Sequence, residues 1–404
     1  MTIDLDALYV DLHRHPELSY QETRTAGIAA EHLRGLGLDV EVGVGQTGVV
    51  GVLRNGDGPV VWLRADMDAL PVEEQTGLAY ASTETAVDPA GNTVPVMHAC
   101  GHDMHVTAMI GAVEQLMVTR SEWSGTVVVL MQPAEEYGSG ARSMLDTGLL
   151  ARYPKPDIVL GQHVAPLPAG MVGLRAGTQM AGADGLTITL HGRGGHGSRP
   201  ESTVDPVVMA ASTIMRLQTI VSREVDPQKV AVVTVGSVHA GLKNNIIADK
   251  AVLELSLRYT DDEMREHVLA GVDRIVRAEA AASGAEREPE FHTDHTLPPT
   301  INDADATSRV TAALQRALGE QNVVDSGMVT GSEDVSWFAR DAGAPLVFWF
   351  WGGADAAAYA AAVHNGTVEA DIPTNHSPFF APLIHPTIDV GVTALVAAAR
   401  EFLD

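Results

Sequence analysis

The chain has 404 residues, of which 45% are hydrophobic and 19% are charged. This length exceeds one ordinary single-core domain, so we expect two domains, and the composition is typical of a globular protein rather than a disordered or fibrous one. The 52 acidic residues outnumber the 26 basic residues, which gives a formal net charge of −26. A surface of this sign repels a phosphate backbone and argues against a nucleic-acid partner; the acidic residues are scattered, which favours a role in solubility.

The single cysteine, Cys100, cannot form a disulfide within the chain, which fits a reducing compartment. The first residues have neither the basic nor the apolar segment of a secretion signal. No stretch reaches the roughly 18 apolar residues of a membrane-spanning helix. We therefore expect a cytoplasmic protein with no membrane partner.

Apolar strands alternate with helical patterns in the first half of the chain. The predicted strands cover 60–67, 125–133 and 157–164, and the predicted helices cover 105–120 and 140–150. Near-continuous apolar strands of this kind are typical of a mostly parallel sheet flanked by helices. Binding sites in such sheets form just past the carboxyl ends of the strands.

The pattern changes after about residue 180. Strands with alternating polarity and two helical segments follow each other in the order βαββαβ, which predicts a small antiparallel sheet with helices on one face. The strands are 186–194, 231–240, 251–260 and 288–295, and the helices lie near 204–222 and 261–282. After Pro298 and Pro299, a helix near 303–320, a strand at 346–353 and a helix near 386–402 return to the first domain.

The sequence thus predicts an α/β protein with an inserted α+β domain. The main catalytic, metal-binding domain would comprise residues 1–181 and 298–404, and the inserted domain residues 182–297.

Four groups of metal-ligand residue types fall near the predicted strand ends. Asp66 and Asp68 follow VVWLR, Cys100 and His102 lie in HACGHDMH, Glu135 and Glu136 follow VVVLMQPA, and His163 follows DIVLGQ. A thiolate beside an imidazole suits zinc or another late divalent metal better than magnesium or calcium. A histidine alone in its loop, such as His163, is equally compatible with a packed core residue.

The adjacent carboxylates of Glu135 and Glu136 can have different roles. Neighbouring side chains in an extended chain point in opposite directions, so one can bind metal while the other accepts a proton from water as general base. The alternative is a solvated surface pair.

The stretch GRGGHGSRP contains a formal G-x-G-x-x-G from Gly192 to Gly197. The strand before it alternates, and Ser198-Arg199-Pro200 delays any following helix, which argues against a dinucleotide site. We expect instead that His196 offers a hydrogen bond to a developing oxyanion. No G-x-S-x-G motif is present, which disfavours covalent catalysis.

Taken in order, eight segments resemble the amidohydrolase branch of the M20 metallopeptidase superfamily. That branch includes N-acyl-amino-acid amidohydrolases, hippurate hydrolases and plant auxin-conjugate hydrolases, and the stretch from GGHGSRP to AVVTVGS is further similar to actinobacterial aminoacylases. The segments are HRHPELSYQE, RADMDALP, MHACGHDMH, QPAEE, GQHVAPLPAG, GRGGHGSRP, GSEDVSWF and NHSPFF.

The resemblance implies a two-metal site and a role for each matching residue. Glu135 would be the general base, Asp68 would orient the metal ligands, and His196 would polarise the scissile carbonyl. Asn245 and Arg258 would grip the substrate's carboxylate or carbonyl, although Ala248 stands where the family usually has proline. The inserted domain would carry a homodimer contact. The implied metal ligands are Cys100, His102, Glu136, His163 and His376.

The resulting hypothesis is a metal-dependent amidohydrolase that cleaves the amide bond of N-acyl amino acids. Two divalent ions, zinc or alternatively manganese, cobalt or nickel, would activate a water molecule. An exopeptidase acting on free-amine substrates is the closest alternative, and a catalytically silent metal-binding scaffold is another. The aromatic run from Phe348 to Trp351 either lines an acyl pocket or forms a buried core strand.

Overall fold

The computed structural model describes residues 2–403, which form two compact units. The main unit consists of the described residues up to Gln179, Ile301–Met328, and the described residues from Asp334 onward. The second unit consists of Met180–Thr300 and Val329–Glu333. Each unit has its own hydrophobic core. Among residues 2–403, no helix has the length and apolar character needed to cross a membrane.

The main unit begins with two helices, which are followed by strands and helices in mixed order. Its first helices are α1 (Leu5–Arg14), α2 (Thr23–Gly35), α3 (His102–Val118), α4 (Gly140–Leu145) and α5 (Leu149–Arg152). Its first strands are β1 (Asp39–Val44), β2 (Gly48–Asn55), β3 (Val60–Asp66), β4 (Thr85–Val87), β5 (Thr93–Pro95), β6 (Gly125–Gln132), β7 (Ile158–Pro168), β8 (Val172–Gly173) and β9 (Gly177–Met180).

The second unit and the returning segment complete the chain. The second unit contains β10 (Gly182–His191), β11 (Gly195–His196), α6 (Pro206–Thr219), β12 (Ala231–Ala240), β13 (Ile246–Ile247), β14 (Lys250–Tyr259), α7 (Asp262–Ala282) and β15 (Glu290–Leu297). The chain then forms β16 (Thr300–Asn302), α8 (Ala304–Leu318), β17 (Val323–Val324), α9 (Ser336–Ala342), β18 (Leu346–Ala354), α10 (Ala356–Asn365), α11 (Val368–Asp371) and α12 (Thr387–Leu403).

An eight-stranded sheet forms the centre of the main unit, in the order β1-β2-β6-β3-β7-β18-β8-β17. The four central strands β6, β3, β7 and β18 are parallel to one another, and β1 and β2 extend one edge as antiparallel strands. Helices α3 and α12 pack on each other and on the central strands. The predicted α/β class with a mostly parallel sheet is confirmed; the antiparallel edge was not predicted.

A four-stranded antiparallel sheet, in the order β12-β14-β10-β15, forms the second unit. Helices α6 and α7 pack on each other and on this sheet, and their apolar residues share its core. The chain order β10-α6-β12-β14-α7-β15 is the βαββαβ order expected from the alternating pattern.

The aromatic run lies inside the core and does not line a pocket. Phe348, Trp349 and Trp351 have no exposed surface, and Phe350 is 7% exposed. The two indole N–H groups donate to Gln162 Oε1 and to the carbonyl of Thr387. The run is therefore the buried strand β18, and the acyl-pocket interpretation is wrong.

Helix α10 follows this strand and was not predicted. Asp355 caps its first turn by accepting from the amide of Ala358 at 2.7 Å, and Gly366 ends it with φ +69°. Only Ala362 of this helix is buried. The helix is thus stabilised by the high helix propensity of alanine and by capping. It lacks the apolar stripe by which an amphipathic helix is recognised in a sequence.

A buried histidine connects α1 to α3. His13 Nδ1 lies 2.6 Å from Asp103 Oδ2, and Nε2 lies 3.1 Å from Glu74 Oε1. Burial alone lowers the pKa of this ring, but hydrogen bonds and charges from Asp103 and Glu74 outweigh burial and raise the pKa to about 9. His13 is therefore a buried cation held between two carboxylates.

We predict that His13→Gln lowers the free energy of unfolding more at about pH 6 than at about pH 9.5. The folded-state pKa lies above the ordinary value of 6.5, so the ion pairs stabilise the fold fully below pH 6.5 and this stabilisation is lost as pH rises through about 9. At the lower pH the loss should be about 3 kcal/mol or more. Urea unfolding of wild type and variant at both pH values measures this loss of unfolding free energy. The control is His15→Gln, at a ring that is 40% exposed; an equal loss at both pH values would contradict the assignment.

Candidate metal centre

The site forms where two neighbouring parallel strands end. Asp66, the last residue of β3, pairs with Gln132, the last residue of β6. The chain continues from β3 to Asp68 and from β6 to Glu135 and Glu136. Because the strand ends are adjacent, the carboxylate of Asp68 lies at the same edge of the sheet as those of Glu135 and Glu136, although it is 67 residues from Glu135 in sequence.

A tight turn places Cys100 and His102 against this edge. Between them Gly101 has φ +83°, and a Cβ there would lie 2.5 Å from Val164 Cγ1. Both the left-handed backbone and the close approach require glycine. Helix α3 then starts at His102, so thiol and imidazole are fixed at the beginning of a long buried helix.

The five residues implied as metal ligands lie together. One ligand atom from each of Cys100, His102 and Glu136 can be chosen so that all lie within 4.8 Å of one another. His163 Nε2 is 3.4 Å from Cys100 Sγ, and His376 Nε2 is 3.3 Å from Glu136 Oε1. The structure thus gathers an S, N and O donor set typical of a late divalent metal.

Two atoms of this cluster are buried without a hydrogen-bond partner among the described residues: His102 Nε2 and Glu136 Oε1. Unpaired buried polar atoms are costly, and a metal ion would satisfy both. The other nitrogen of His102 is 3.2 Å from Asp68 Oδ1, and Nδ1 of His163 is 2.7 Å from the carbonyl of Val164. In the neutral ring each acceptor would hold the proton on Nδ1, so Nε2 is the nitrogen that would bind a metal. The residues therefore fit a metal ion.

The electrostatic field at the cluster is strongly negative. Burial, followed by the charges of Glu136 and Glu135, raises the pKa of the Cys100 thiol well above its ordinary value. Burial alone would lower the pKa of His102, but Asp66 and Asp68 outweigh it and raise the pKa to about 10. Such a field favours cation binding, because a divalent ion would neutralise groups that otherwise repel one another.

Asp68 accepts hydrogen bonds from four groups. Oδ1 accepts from the amide of Glu135 at 3.1 Å and lies 3.2 Å from His102 Nδ1; Oδ2 accepts from the amide of Glu136 at 3.0 Å and the hydroxyl of Ser19 at 2.6 Å. Burial alone raises the pKa of Asp68, but the bonds from His102 and Ser19 outweigh it and lower the pKa. Asp68 is thus placed to orient a ligand histidine and both glutamates.

Glu135 and Glu136 lie in a turn, and the expected extended conformation is wrong. The amide of Gly138 donates to the carbonyl of Glu135 at 2.6 Å. Ala134 precedes them in the left-handed region with φ +48°, which costs about 1 kcal/mol or more for a residue with a side chain. A Cβ on Gly140 would lie 1.6 Å from the carbonyl oxygen of Pro133, so the loop closes tightly on itself. We call residues 133–140 the base loop, after the general-base role that the family resemblance implies for Glu135.

His163 lies within β7, which continues to Pro168, and does not follow the strand as expected. It pairs with Phe350 of β18 and lies beyond Gly161, the last β7 residue paired with β3. Strand β3 ends at Asp66, two residues after its last pair with β7, so His163, two residues after Gly161, lies level with the end of that strand.

His105 supports His163 and is not itself a free ligand. Its Nδ1 bonds to Asp66, and its Nε2 accepts from the amide of Val164 at 2.9 Å. Burial lowers the pKa of His105 to about 3, which keeps the ring neutral and able to accept. Although Asp66 and His105 belong to a second group of potential ligands with His102 and His163, both nitrogens of His105 are engaged.

His376 reaches the site from the returning segment. Its backbone is left-handed with φ +71°, and its amide donates to the carbonyl of Ala99 at 2.8 Å. The neighbouring Asn375 Nδ2 donates to the carbonyls of Cys100 and Val164, both at 3.1 Å. These bonds hold the loop that brings His376 to Glu136.

His196 and Asn245 lie together within the second unit. His196 belongs to β11, which pairs with β13, and the amide of Gly197 donates to the carbonyl of Asn245 at 2.8 Å. His196 Nδ1 accepts from the amide of Ser198 at 3.2 Å, which places the proton of the neutral ring on Nε2. A mostly apolar cavity of about 740 Å³ is lined by His196, Leu242, Ile246 and Val252 among others.

Arg258 does not join this pair. On β14 it faces Ala183 and Val232, whereas Lys250, at the other end of the strand, pairs with His191 just before β11. Arg258 lies eight residues after Lys250 along the strand, a distance of about 26 Å. Arg258 Nη1 donates to the carbonyl of Leu257. Arg258 therefore lies at the far end of β14 from His196 and Asn245.

The family model of peptidase family M20/M25/M40 matches residues 62–380. The chain belongs to this family. The M20 resemblance and the hydrolase class expected from the sequence are therefore confirmed.

Relatives in this family carry different enzyme names. Thermostable carboxypeptidase 1 of Saccharolobus solfataricus is 37% identical over 346 residues, which cover 84% of each chain. The hippurate hydrolase of Campylobacter jejuni is 37% identical over 332 residues, which cover 81% of this chain and 83% of the relative. A dinuclear metal-binding M20 peptidase from Bacillus subtilis has a solved structure that matches with a TM-score of 0.78 and 30% identity, covering 99% of this chain and 97% of that one.

Several M20 site neighbours were not found from the sequence. Ser19, Glu22, His105 and Asn375 each bond to the site or to its loops. Their segments were recognised only as parts of family motifs. The available signal was proximity: His105 and Asn375 are within three residues of His102 and His376 in sequence, whereas Ser19 and Glu22 approach through the fold alone.

We predict that Asp68→Asn weakens zinc binding about 10- to 100-fold. An asparagine side chain has one oxygen in place of two, so it cannot accept from all four donors, and its NH₂ group would face one of them. Competition with a chromophoric chelator measures the affinity. The control is Asp39→Asn on β1, where the side chain is 83% exposed; unchanged zinc affinity in Asp68→Asn would rule out the orienting role.

Proposed function

We propose that the protein hydrolyses the amide bond of N-acyl amino acids, releasing a carboxylic acid and a free amino acid. The observation that carries this proposal is the cluster of Cys100, His102 and Glu136, in which His102 Nε2 and Glu136 Oε1 are buried and make no hydrogen bond among the described residues, although His376 Nε2 lies 3.3 Å from Glu136 Oε1. A second carboxylate, Glu135, lies next to this cluster. The arrangement provides both metal ligands and a proton acceptor.

The names of two relatives support the substrate class. A carboxypeptidase and a hippurate hydrolase, each 37% identical to this chain, both break an amide formed by the nitrogen of an amino acid whose carboxylate is free. An N-acyl amino acid is the simplest substrate with that group. The apolar cavity beside His196 suits an apolar acyl group and suggests that acyl groups larger than acetyl are accepted.

The proposed metal ligands are Cys100, His102, Glu136, His163 and His376, and the proposed metal is zinc, with manganese, cobalt or nickel as alternatives. When bound, the pair of metal ions supplies Lewis-acid polarisation and lowers the pKa of water. The dinuclear M20 relative with 30% identity supports two metal positions.

Glu135 is the proposed general base. Its side chain is 9% exposed and its backbone is held by Asp68. Glu135 takes a proton from the attacking water, the water oxygen bonds to the carbonyl carbon, and the C–N bond then breaks. The same proton passes to the leaving nitrogen, so the amino acid departs as a neutral amine and Glu135 is again a carboxylate.

Three residues of the second unit are proposed to act on the substrate. His196 donates from Nε2 to the developing oxyanion, in agreement with the acceptor role of its Nδ1 toward Ser198. Asn245, adjacent to Gly197, contacts the substrate's polar end. Arg258 is proposed to bind the substrate's carboxylate, and only the family resemblance supports this role.

A second candidate function is an exopeptidase with the same metals. The carboxypeptidase relative favours it, because a peptide with a free carboxylate also contains an N-acylated amino acid at its end. The two functions differ in the group beyond the scissile carbonyl: an exopeptidase must accept a charged amine or a longer chain.

We further propose a homodimer formed through the second unit, and a cytoplasmic location. Edge strand β12 exposes Val232 and Val238, and α6 exposes Val208 and Met215; such surfaces are typical of interfaces. A reducing compartment keeps Cys100 available as a ligand.

We predict that Glu135→Gln lowers kcat about 10²- to 10⁴-fold while metal content stays unchanged. The amide cannot accept the proton, but it fills the same volume and leaves Glu136 and Asp68 in place. Steady-state kinetics and metal analysis of the same preparation measure both quantities. Glu31→Gln, on the exposed side of α2, is the control; most activity surviving in Glu135→Gln would exclude it as the base.

We predict metal-dependent release of free amino acid from a panel of N-acyl amino acids that varies acyl length and amino acid. Chelated enzyme should be inactive, and zinc or manganese should restore it. Each N-acyl substrate is paired with a dipeptide of the same amino acid. Turnover of the dipeptides alone would select the exopeptidase.

A further inference from the structure

Three consecutive amides of the base loop are bound by two buried carboxylates. The amides of Glu135 and Glu136 donate to Asp68, and the amide of Ala134 donates to Glu22 Oε1 at 2.8 Å. Asp68 is already part of the metal centre. Glu22 lies 112 residues before Ala134, and the proposed chemistry gives it no role.

The segment that carries Glu22 is itself a tight turn packed on the base loop. The amide of Gln21 donates to the carbonyl of Leu18 at 2.8 Å, and Tyr20 is left-handed with φ +63°. We call residues 18–22 the N-terminal turn. Its Ser19 donates to Asp68, and the Tyr20 hydroxyl is 2.8 Å from Ser139 Oγ of the base loop. The turn thus contacts the loop directly and also contacts the carboxylate that holds the loop.

Both oxygens of Glu22 are used, and its side chain is fully buried. Oε2 accepts from the hydroxyl of Thr47 on the connection between β1 and β2 at 2.5 Å. A buried carboxylate with one donor on each oxygen has a fixed position. It therefore offers the amide of Ala134 a rigid acceptor at the residue whose backbone is left-handed.

We propose that Glu22 is a positioning residue for the reaction: it fixes the conformation of Ala134 and so sets the direction in which Glu135 and Glu136 leave the base loop. Glu22 acts through the backbone and touches no reacting atom. This inference rests on the proposed function, since it assigns Glu22 to the loop that carries the proposed base. What the role requires of Glu22 is an acceptor oxygen facing Ala134.

The test compares Glu22→Ala with Glu22→Gln. Glu22→Ala should lower kcat at least about tenfold and leave KM within about threefold, because the base is displaced while substrate contacts remain. Glu22→Gln should restore kcat to within about threefold of the wild type, since its amide oxygen can accept from Ala134 and its NH₂ can donate to Thr47 Oγ1. Wild-type kcat in Glu22→Ala, or equal loss in both variants, would overturn the proposal.

Glu17→Ala is the matched control. Glu17 lies in the same part of the chain, and its carboxylate accepts from the amides of Arg24 and Thr25 at 2.9 and 2.8 Å, in the first turn of α2. Its loss should lower thermal stability as Glu22→Ala does, without a change in kcat. If Glu17→Ala lowers kcat to the same degree, the effect is structural and the proposal fails.

A second readout separates this proposal from the proposed function. Glu22→Ala should weaken zinc binding about tenfold through displacement of Glu136, whereas Glu17→Ala should leave zinc affinity unchanged. This readout needs no substrate. A wild type inactive on the whole panel would reject the proposed function, and unchanged zinc affinity in Glu22→Ala would reject the positioning role. If Glu22→Ala does not fold, Glu22→Asp replaces it, with a shorter carboxylate and the same expected directions.

Discussion

The carboxylate of Asp68 lies at the point where three separate parts of the chain meet. It is 1% exposed, and a buried charge of this kind requires donors on both oxygens. Those donors come from Ser19 in the N-terminal turn, from His102 at the start of α3, and from the amides of Glu135 and Glu136 in the base loop. Satisfying one buried charge therefore fixes the orientation of a histidine ring and the course of the loop together.

The same requirement explains why so much negative charge is tolerated at one edge of the sheet. Asp66 is balanced by Arg64, fully buried, whose Nη1 lies 2.7 Å from Asp66 and whose Nη2 lies 3.1 Å from Asp334. Glu136 Oε1, in contrast, faces only histidines of the cluster, with His376 Nε2 at 3.3 Å and His102 Nε2 at 4.0 Å, and it makes no hydrogen bond among the described residues. Protein sites that violate the rules of stable burial tend to be functional, and here the violation coincides with the donor set expected for a divalent ion.

The sequence was sufficient for the central parallel strands and for the edge of the sheet where ligand-type residues gather, because both follow local rules, whereas the full set of five proposed ligands came from the family resemblance. Apolar runs identified β3, β6 and β7, and polar residues at their ends identified the edge where Cys100, His102 and Glu136 meet. The conformation within that edge depends on tertiary contacts. The turn at Glu135, the position of His163 inside β7, and the approach of Ser19 and Glu22 all depend on contacts between residues far apart in sequence. The position of Arg258 also depends on the fold, because a motif match does not indicate at which end of β14 the residue lies.

The division of the main unit into separate stretches of chain has a consequence for biosynthesis. Cys100, His102, Glu136 and His163 belong to the first stretch, whereas His376 lies beyond the whole of the second unit. During translation, the ribosome therefore completes the second unit before the last proposed ligand emerges. A nascent chain can offer a partial site early, but the full set of five ligands exists only near the end of synthesis. A metal ion could therefore bind to the full set of proposed ligands only when synthesis is nearly complete. A chain truncated before residue 376 would lack a complete metal centre.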